Sequence, residues 1–202
     1  MRSMRLAKRE VKDFQEVRQI LADCDTVRLG LTDADGMFIV PVNFGYEFLE
    51  ETDGAGQDDT KKPNAAKEED SKMADGAGED YTEDSPGENR TGRLRLYIHS
   101  AREGRKAEAF AKCPVAALEM DCGHEIITGD YTCSYSYAYR SIMGSGRIRE
   151  VTEPEEKIHG LTVLMEHMEP GASVHFLPEM LERVGVYCID VFEYTAKKRE
   201  RK

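Results

Sequence analysis

Forty residues in the first half of the chain, from 53 to 92, contain too few apolar side chains to join a hydrophobic core. The stretch has seven apolar residues, and its twelve acids against five bases give it a charge of −7 out of a total of −11. Such a composition cannot offset the entropy lost on ordering the backbone. We therefore predict one domain spanning 1–202 that carries a disordered acidic insertion at about 50–92.

The rest of the composition limits the classes of function. Outside 53–92 the remaining 162 residues carry a net charge of −4, which argues against a general nucleic-acid binder because phosphates attract basic surfaces. The sequence has no run of about 18 apolar residues for a membrane span. The start of the chain lacks the apolar core of a secretory signal, so a cytoplasmic location is expected.

The five cysteines are an odd number at wide spacing and are expected to stay thiols. Zinc is an alternative at Cys122, His124 and Cys133, but these residues lack the close cysteine pair that is typical of structural zinc sites. No metal site is therefore expected.

The segments on either side of the insertion have patterns of helices and strands. Helical spacing predicts an amphipathic helix over 7–23, with Val11, Phe14, Val17 and Leu21 on one face. Two strands surround an Asp-Gly turn at 33–36, the second continuing to about residue 48. Alternation predicts a half-buried strand over 93–101, with Leu94, Leu96 and Ile98 facing inward and Arg93, Arg95 and Tyr97 facing outward.

The second half predicts a short helix ending before Pro114, strands at 115–121 and 135–151, a second helix and a long final strand. Gly144 and Gly146 indicate a bulge or a close backbone approach. A capping box at 152–155 is expected to start the second helix, with Ile158, Leu161, Met165 and Met168 forming its apolar stripe. About six antiparallel strands with flanking helices predict a mainly β fold of the α+β class. The expected architecture is a small β-barrel with helices attached to it.

One segment combines the residue types that an anion site needs. A strand ends at His99 and Ser100, a turn follows, and a helix begins with Gly104, Arg105 and Lys106. Backbone N–H groups at the helix start and two adjacent cations can hold a phosphate. The alternatives are a solvated basic turn and a structural, hydrogen-bonded histidine, and both stay open on spacing alone.

Several short motifs together resemble the pyridoxamine 5′-phosphate oxidase-like, FMN-binding split-barrel superfamily, and within it the nitroimidazole-resistance (Nim-type) flavoproteins. The motifs are PVNFGY (41–46), YIHS (97–100), GRK (104–106), CPV (113–115) and YRSIMGSG (139–146). They occur in this order on the expected elements, and the resemblance covers about residues 5–198 outside the insertion. It implies a split β-barrel, a homodimer, and FMN bound between the subunits.

The resemblance also implies roles for individual residues. Arg105 and Lys106 match the cations that grip the FMN phosphate, and His99 and Ser100 match contacts to the phosphate and ribityl chain. Pro41, Val42 and Asn43 match the strand whose backbone runs along the flavin ring. Ser141 lies in the strand that, in the family, approaches FMN from the other subunit. His99 is the one catalytic candidate.

The function implied is an FMN-dependent oxidoreductase that reduces a small acceptor, such as a nitroimidazole or another nitroaromatic, with NAD(P)H as the electron source. Pyridoxamine 5′-phosphate oxidase activity is an alternative, although no second cationic cluster is evident for a substrate phosphate. Haem or deazaflavin could replace FMN, and the protein could bind flavin without catalysis while its acidic segment recruits a partner.

Overall fold

The computed structural model describes residues 6–49 and 93–201, so the predicted insertion at 50–92 lies outside the described residues. The helices are α1 (Phe14–Ala22), α2 (Arg105–Lys112), α3 (Pro154–Met168) and α4 (Pro178–Arg183). The strands are β1 (Glu10–Val11), β2 (Val27–Asp33), β3 (Gly36–Val42), β4 (Gly45–Leu49), β5 (Arg93–Ser100), β6 (Val115–Ile127), β7 (Ser136–Glu150) and β8 (Gly185–Arg199). Two short 3-10 turns lie at Ala7–Arg9 and Thr132–Ser134.

All paired strands are antiparallel and form one sheet in the order β3-β2-β6-β7-β8-β5-β4, with β1 added beside β8. In the described part of the chain no ladder joins the edge strands β3 and β4, so the sheet is not closed. This confirms the predicted α+β class and split-barrel type, with eight strands where about six were expected. No described helix is both long and apolar enough to cross a membrane.

The Asp-Gly turn between β2 and β3 is confirmed. Asp33 pairs with Gly36, whose φ of +112° suits glycine, and the Asp35 amide donates to Asp33 Oδ1 at 2.9 Å. The predicted second strand is wrong beyond Val42, because the chain leaves β2 there and starts β4, which pairs with β5 at the opposite edge. Fully buried Phe44 lies at this change of direction.

The predicted helix over 7–23 is confirmed only from Phe14 onward. Asp13 caps it by accepting the Glu16 amide at 2.8 Å, a side-chain contact that ends the helix on its N-terminal side. Val11 instead lies in β1, where it pairs with Ala196 of β8. The helix buries Val17, Ile20 and Leu21 against the main core.

The main core fills one face of the sheet, with alternate side chains of β2, β6, β7, β8 and β5 pointing into it. On β5, Leu94, Leu96 and Ile98 are buried as predicted, but Tyr97 is also only 1% exposed. The prediction of a solvent-facing Tyr97 is wrong because α3 covers that face of β5. A second small core forms there around Tyr97 and Leu161.

Helix α3 differs from the prediction in two respects. It begins after Glu153 with Pro154 in its first turn and has no side-chain cap, so the capping box does not form. The predicted apolar stripe is only partly confirmed: Leu161 is buried and Met165 is half-buried, but Ile158 and Met168 are 42% and 50% exposed. The buried face is Lys157, Gly160, Leu161 and Leu164.

The expected bulge in β7 is confirmed by a shift in its register with β8 between Ser145 and Gly146. A Cβ atom at Gly144 would lie 2.4 Å from the Glu193 carbonyl oxygen, and one at Gly146 would lie 2.6 Å from Ile189 Cγ2. The close approach that these glycines allow is therefore to β8.

Two other glycines let α3 lie directly on β4 and β5. A Cβ atom at Gly45 would lie 2.5 Å from the α3 backbone at Leu164, and one at Gly160 would lie 2.5 Å from the Tyr97 ring. Gly160→Ala should therefore destabilise the protein by about 1 kcal/mol net, since overpacking costs about 1–3 kcal/mol and helix propensity returns about 1 kcal/mol. Urea unfolding measures this change in free energy.

The matched control is Thr162→Ala on the exposed side of the same helix, which should change stability by no more than about 0.5 kcal/mol. A Gly160→Ala variant more stable than the unmodified protein would contradict the close packing of α3 on Tyr97.

Candidate functional site

The end of β5 places the predicted catalytic residue at the mouth of a cleft. His99 is exposed and Ser100 is half-buried, and they pair with Val186 and Gly185 of β8. Both line a cavity of ≈ 370 Å³ whose other wall is α4. The remaining lining residues are Ala101, Glu179, Met180, Arg183 and Val184.

The α4 side of this cleft was missed by sequence reasoning. The helix has only six residues and contributes no fully buried side chain, so it has too little apolar periodicity to be detected. The available signal was Pro178, which stands in the first turn as proline often does at a helix start.

Arg105 begins α2 and is held by an ion pair to the β2–β3 turn. Its Nε and Nη2 donate to the two carboxylate oxygens of Asp33 at 2.6 and 3.0 Å, and its guanidinium lies 4.1 Å from the Phe38 ring centroid. Hydrogen bonding to Arg105 lowers the pKa of Asp33, and the same bond raises the pKa of Arg105. Arg105 thus fixes the start of α2 with two of its five donors and keeps three for another acceptor.

Lys106 has a different environment from its neighbour. Its side chain is half-buried, and burial lowers the pKa of its ammonium group. Among residues 6–49 and 93–201, no carboxylate lies within ion-pair distance of Lys106. A partly desolvated cation without a counter-charge is costly, and an anion bound there would offset that cost.

The backbone before α2 makes this helix start accessible. Gly104 precedes Arg105 with a φ of +96°, a conformation in which glycine is favoured, and no atom lies within 4 Å of a Cβ built there. No side chain caps α2, so its first N–H groups are not satisfied by a capping residue.

The motif at 41–43 lies at the other end of β3 from the Arg105 contact. Pro41 is exposed on this edge strand, where a missing N–H removes no interior ladder bond, and Val42 points into the core opposite Val27. Asn43 donates from Nδ2 to the Asp25 carbonyl at 3.2 Å. Pro41 is three positions beyond Phe38, so these residues are about 10 Å apart along the strand.

Ser141 is half-buried in β7, between Asp121 of β6 and Lys197 of β8. Its neighbour two residues along, Met143, is 54% exposed and occupies the outer face of the sheet, opposite the core. Within one chain, therefore, His99 and Ser100 lie at the end of β5, and Arg105 and Lys106 begin α2 five residues further along the sequence. Pro41, Val42, Asn43 and Ser141 lie elsewhere on the sheet.

The outer face of the sheet carries apolar side chains that no described residue covers. Met37 is 88% exposed and Ile39 71% exposed on β3, and Phe192 of β8 is 58% exposed. The registers place Ile39, Gly30 and Ala117 in one row, and Pro41, Arg28, Glu119 and Met143 in the next. Tyr135, just before β7, and Tyr137, near its start, are also more than half exposed.

A polar cluster that the sequence did not predict lies between β5 and α3. Glu47 accepts a hydrogen bond from the Tyr97 hydroxyl at 3.3 Å, and His159 Nε2 lies 2.8 Å from its other oxygen. Burial, and then the nearby charge of Glu47, raises the pKa of Tyr97 to about 12. Tyr97 therefore stays protonated at neutral pH and fixes the strand that leads to His99.

The residues considered for zinc have other partners. His124 Nε2 lies 2.8 Å from Asp121 Oδ2, and burial raises the pKa of the Cys122 thiol. Over the part of the chain that the structure describes, no three His, Cys, Asp or Glu side chains are grouped to hold a metal ion. All five cysteines are free thiols.

The Arg105–Asp33 ion pair should make the stability of the fold depend on pH. Because the folded-state pKa of Asp33 lies below its ordinary value of 3.8, its carboxylate stabilises the fold above that value, and this contribution is lost as the pH falls through the folded pKa. Arg105→Gln should raise the pKa of Asp33 toward 3.8, measured from the carboxyl carbon shift by NMR. Arg28→Gln, on the same strand, is the control and should leave it unchanged; an unmoved pKa in Arg105→Gln would contradict the pair.

Comparison with known proteins identifies the family. The family model described as pyridoxamine 5′-phosphate oxidase matches residues 86–198, which is 113 of 202 residues and more than half of the chain. No curated protein matches this chain.

Solved structures share the fold. A candidate 5-nitroimidazole antibiotic resistance protein from Bacteroides thetaiotaomicron is 24% identical with a TM-score of 0.63, covering 94% of this chain and 86% of its own. The flavocytochrome Anf3 from Azotobacter vinelandii is 17% identical with a TM-score of 0.64, and the match covers 98% of this chain and 72% of that protein. The FAD and heme binding protein from Mycobacterium smegmatis is 14% identical with a TM-score of 0.66, and the match covers 95% of this chain and 74% of that protein. With the open antiparallel sheet and the family match together, the chain belongs to the pyridoxamine 5′-phosphate oxidase family.

Proposed function

We propose that this protein binds FMN and reduces a small acceptor, with NAD(P)H as the electron source. The observation that carries the proposal is Lys106, a half-buried cation at an uncapped helix start with no ion-pair partner among the described residues. Family membership supplies the flavin class, and the position of Lys106 suits the FMN phosphate. FMN, when bound, would supply the electron or hydride transfer.

The residues at the start of α2 fit a phosphate in different ways. Lys106 would provide a point charge whose desolvation is offset when the dianion binds. Arg105 would add the donors that Asp33 does not use, while its ion pair keeps the helix start in position. His99 and Ser100 precede this turn and would contact the ribityl side of the same cofactor.

The acceptor proposed is a nitroimidazole or another small nitroaromatic. Support comes from the structural similarity to the candidate 5-nitroimidazole resistance protein, which covers 94% of this chain. His99 is exposed at the cleft, so its imidazole can exchange protons with a bound molecule and with water. Its proposed role is to hold or deliver a proton to the acceptor.

Haem is the second candidate cofactor, because two of the structurally similar proteins are a flavocytochrome and a FAD and heme binding protein. The absorption spectrum of the purified protein distinguishes flavin from haem. A haem spectrum with no flavin bands would contradict the FMN proposal.

We also propose a homodimer with FMN between the subunits. The support is the exposed apolar surface of Met37 and Ile39 on β3, with exposed Met143 on the same outer face of the sheet, since exposed apolar surface marks interfaces. Ser141 lies on β7 two residues from Met143, so a partner packed on this face would receive Ser141 at its own cofactor. Each site would combine Arg105 and Lys106 of one chain with Ser141 of the other.

Replacing Lys106 tests the phosphate assignment. Lys106→Met should weaken FMN binding by about 1.5–3 kcal/mol, the contribution of a charge-assisted hydrogen bond, while riboflavin affinity stays unchanged because riboflavin has no phosphate. Fluorescence titration of each flavin measures both affinities. Lys112→Met, at the exposed end of the same helix, is the charge-matched control and should bind FMN normally. An FMN affinity in Lys106→Met equal to that of the unmodified protein would overturn the assignment.

Subunit mixing tests the shared site. A chain with Arg105→Ala and Lys106→Ala is mixed with a chain carrying Ser141→Trp, and subunits are allowed to exchange. Each mixed dimer should then hold one intact and one doubly damaged site, restoring up to one FMN per dimer. Confirmed exchange without recovered FMN binding, or a monomer that binds FMN at full affinity, would rule out the shared site.

A further inference from the structure

The cleft between the end of β5 and α4 is lined by charged and apolar residues of α4 that have no role in the proposed cofactor site. Met180 and Val184 give it an apolar wall, and Glu179 and Arg183 stand four residues apart on the same helix. Residues at this spacing lie on one side of a helix with Cβ atoms about 6 Å apart. The cleft therefore offers a negative group, an apolar surface and a positive group in a short span.

Neither charged group is neutralised within the described chain. No ion pair of Arg183 or Glu179 is present among residues 6–49 and 93–201, although each is close enough in sequence to meet the other. The guanidinium presents parallel N–H donors that match a two-oxygen group, and the carboxylate accepts only from N–H or O–H groups. A ligand can therefore satisfy both at once if it carries an oxyanion at one end and an N–H at the other.

The wall that carries these groups is fixed. Lys157 of α3 is only 5% exposed, and its ammonium donates to the carbonyl of Leu181 in the middle of α4. Leu181 and Val184 also pack on the small core around Tyr97. A buried amine that binds a backbone carbonyl ties the two helices together, so Arg183 and Glu179 are presented to the cleft from an anchored element.

We propose that this cleft binds a small planar aromatic molecule with an oxyanion at one end and an N–H donor at the other, read by Arg183 and Glu179. The apolar ring would lie against Met180 and Val184, beside His99. This inference goes beyond the proposed function, because it names a ligand class for the cleft, distinct from the nitroaromatic acceptor, and the two residues that select it. The ≈ 370 Å³ cavity is in the size range of small-molecule sites.

The test uses the full chain and three probes: 4-aminobenzoate, benzoate and aniline. Binding is followed by the methyl NMR signal of Met180, assigned with Met180→Leu, and the dissociation constants are obtained by titration. We expect 4-aminobenzoate to shift the Met180 signal and to bind more tightly than either single-ended probe. Arg183→Gln should weaken the binding of 4-aminobenzoate and benzoate roughly tenfold and leave the affinity for aniline unchanged. Glu179→Gln should instead weaken the binding of 4-aminobenzoate and aniline.

Arg93→Gln is the matched control, since Arg93 is an exposed arginine at the other end of β5, about 20 Å from His99. It should change none of the three affinities. Arg183→Lys keeps the charge but not the paired donors, and should weaken benzoate less than Arg183→Gln does. An unmoved Met180 signal at saturating 4-aminobenzoate, or equal benzoate affinity in Arg183→Gln and the unmodified protein, would overturn the proposal.

The titrations are run with and without FMN, and FMN binding is measured separately. Probe binding at Met180 in a protein that binds no FMN would support the cleft and overturn the proposed cofactor. FMN binding with no probe at Met180 would overturn the cleft and leave the cofactor proposal intact.

Discussion

Strand β5 is buried from both sides, and this double burial positions His99 and Ser100, the two residues at its end. Leu96 and Ile98 enter the main core on one face, while Tyr97 is covered by α3 on the other. Gly160 allows this contact because any side chain at its position would meet the Tyr97 ring. The strand is thus fixed in both directions perpendicular to the sheet, and its last two residues, His99 and Ser100, lie at a defined place.

Two neighbouring cations then have separate roles. Arg105 binds Asp33, 72 residues earlier, and so ties the start of α2 to the β2–β3 turn. Lys106 makes no such ion pair in the described chain and is partly desolvated, which favours an incoming anion over water. The division leaves the Lys106 ammonium, at an uncapped helix start, available for an anion while Arg105 holds the helix in place.

The features that could be predicted from the sequence are mostly local ones. The turn at 33–36 follows from a glycine that accepts positive φ, and the bulge at Gly144 and Gly146 follows from glycines inside a strand. The start of β4 could not be predicted, because its partner β5 begins only at residue 93 and the pairing is non-local. Tyr97 was misplaced because alternation assumes that one face of a strand meets water, and α3 covers it.

The candidate site divides in the same way. Gly104, Arg105 and Lys106 could be found as a group because a turn and a helix start are encoded within a few residues. The Asp33 partner of Arg105 and the α4 wall of the cleft depend on contacts between distant segments, and α4 is too short to show a period. The buried position of Lys157 depends on the packing of α3 against α4, which no local pattern in the sequence records.

The proposed function depends on the Lys106 ammonium binding the phosphate of FMN. Solid-state NMR of the complex, with ¹⁵N in the lysine side chains and the natural ³¹P of FMN, measures the distance from phosphorus to nitrogen directly. We expect a distance of about 4 Å between phosphorus and a lysine nitrogen, the range of an ion pair. This contact should be lost in Lys106→Met and kept in Lys112→Met. A contact of the same length that persists in Lys106→Met, or no lysine contact in a complex that contains bound FMN, would contradict it.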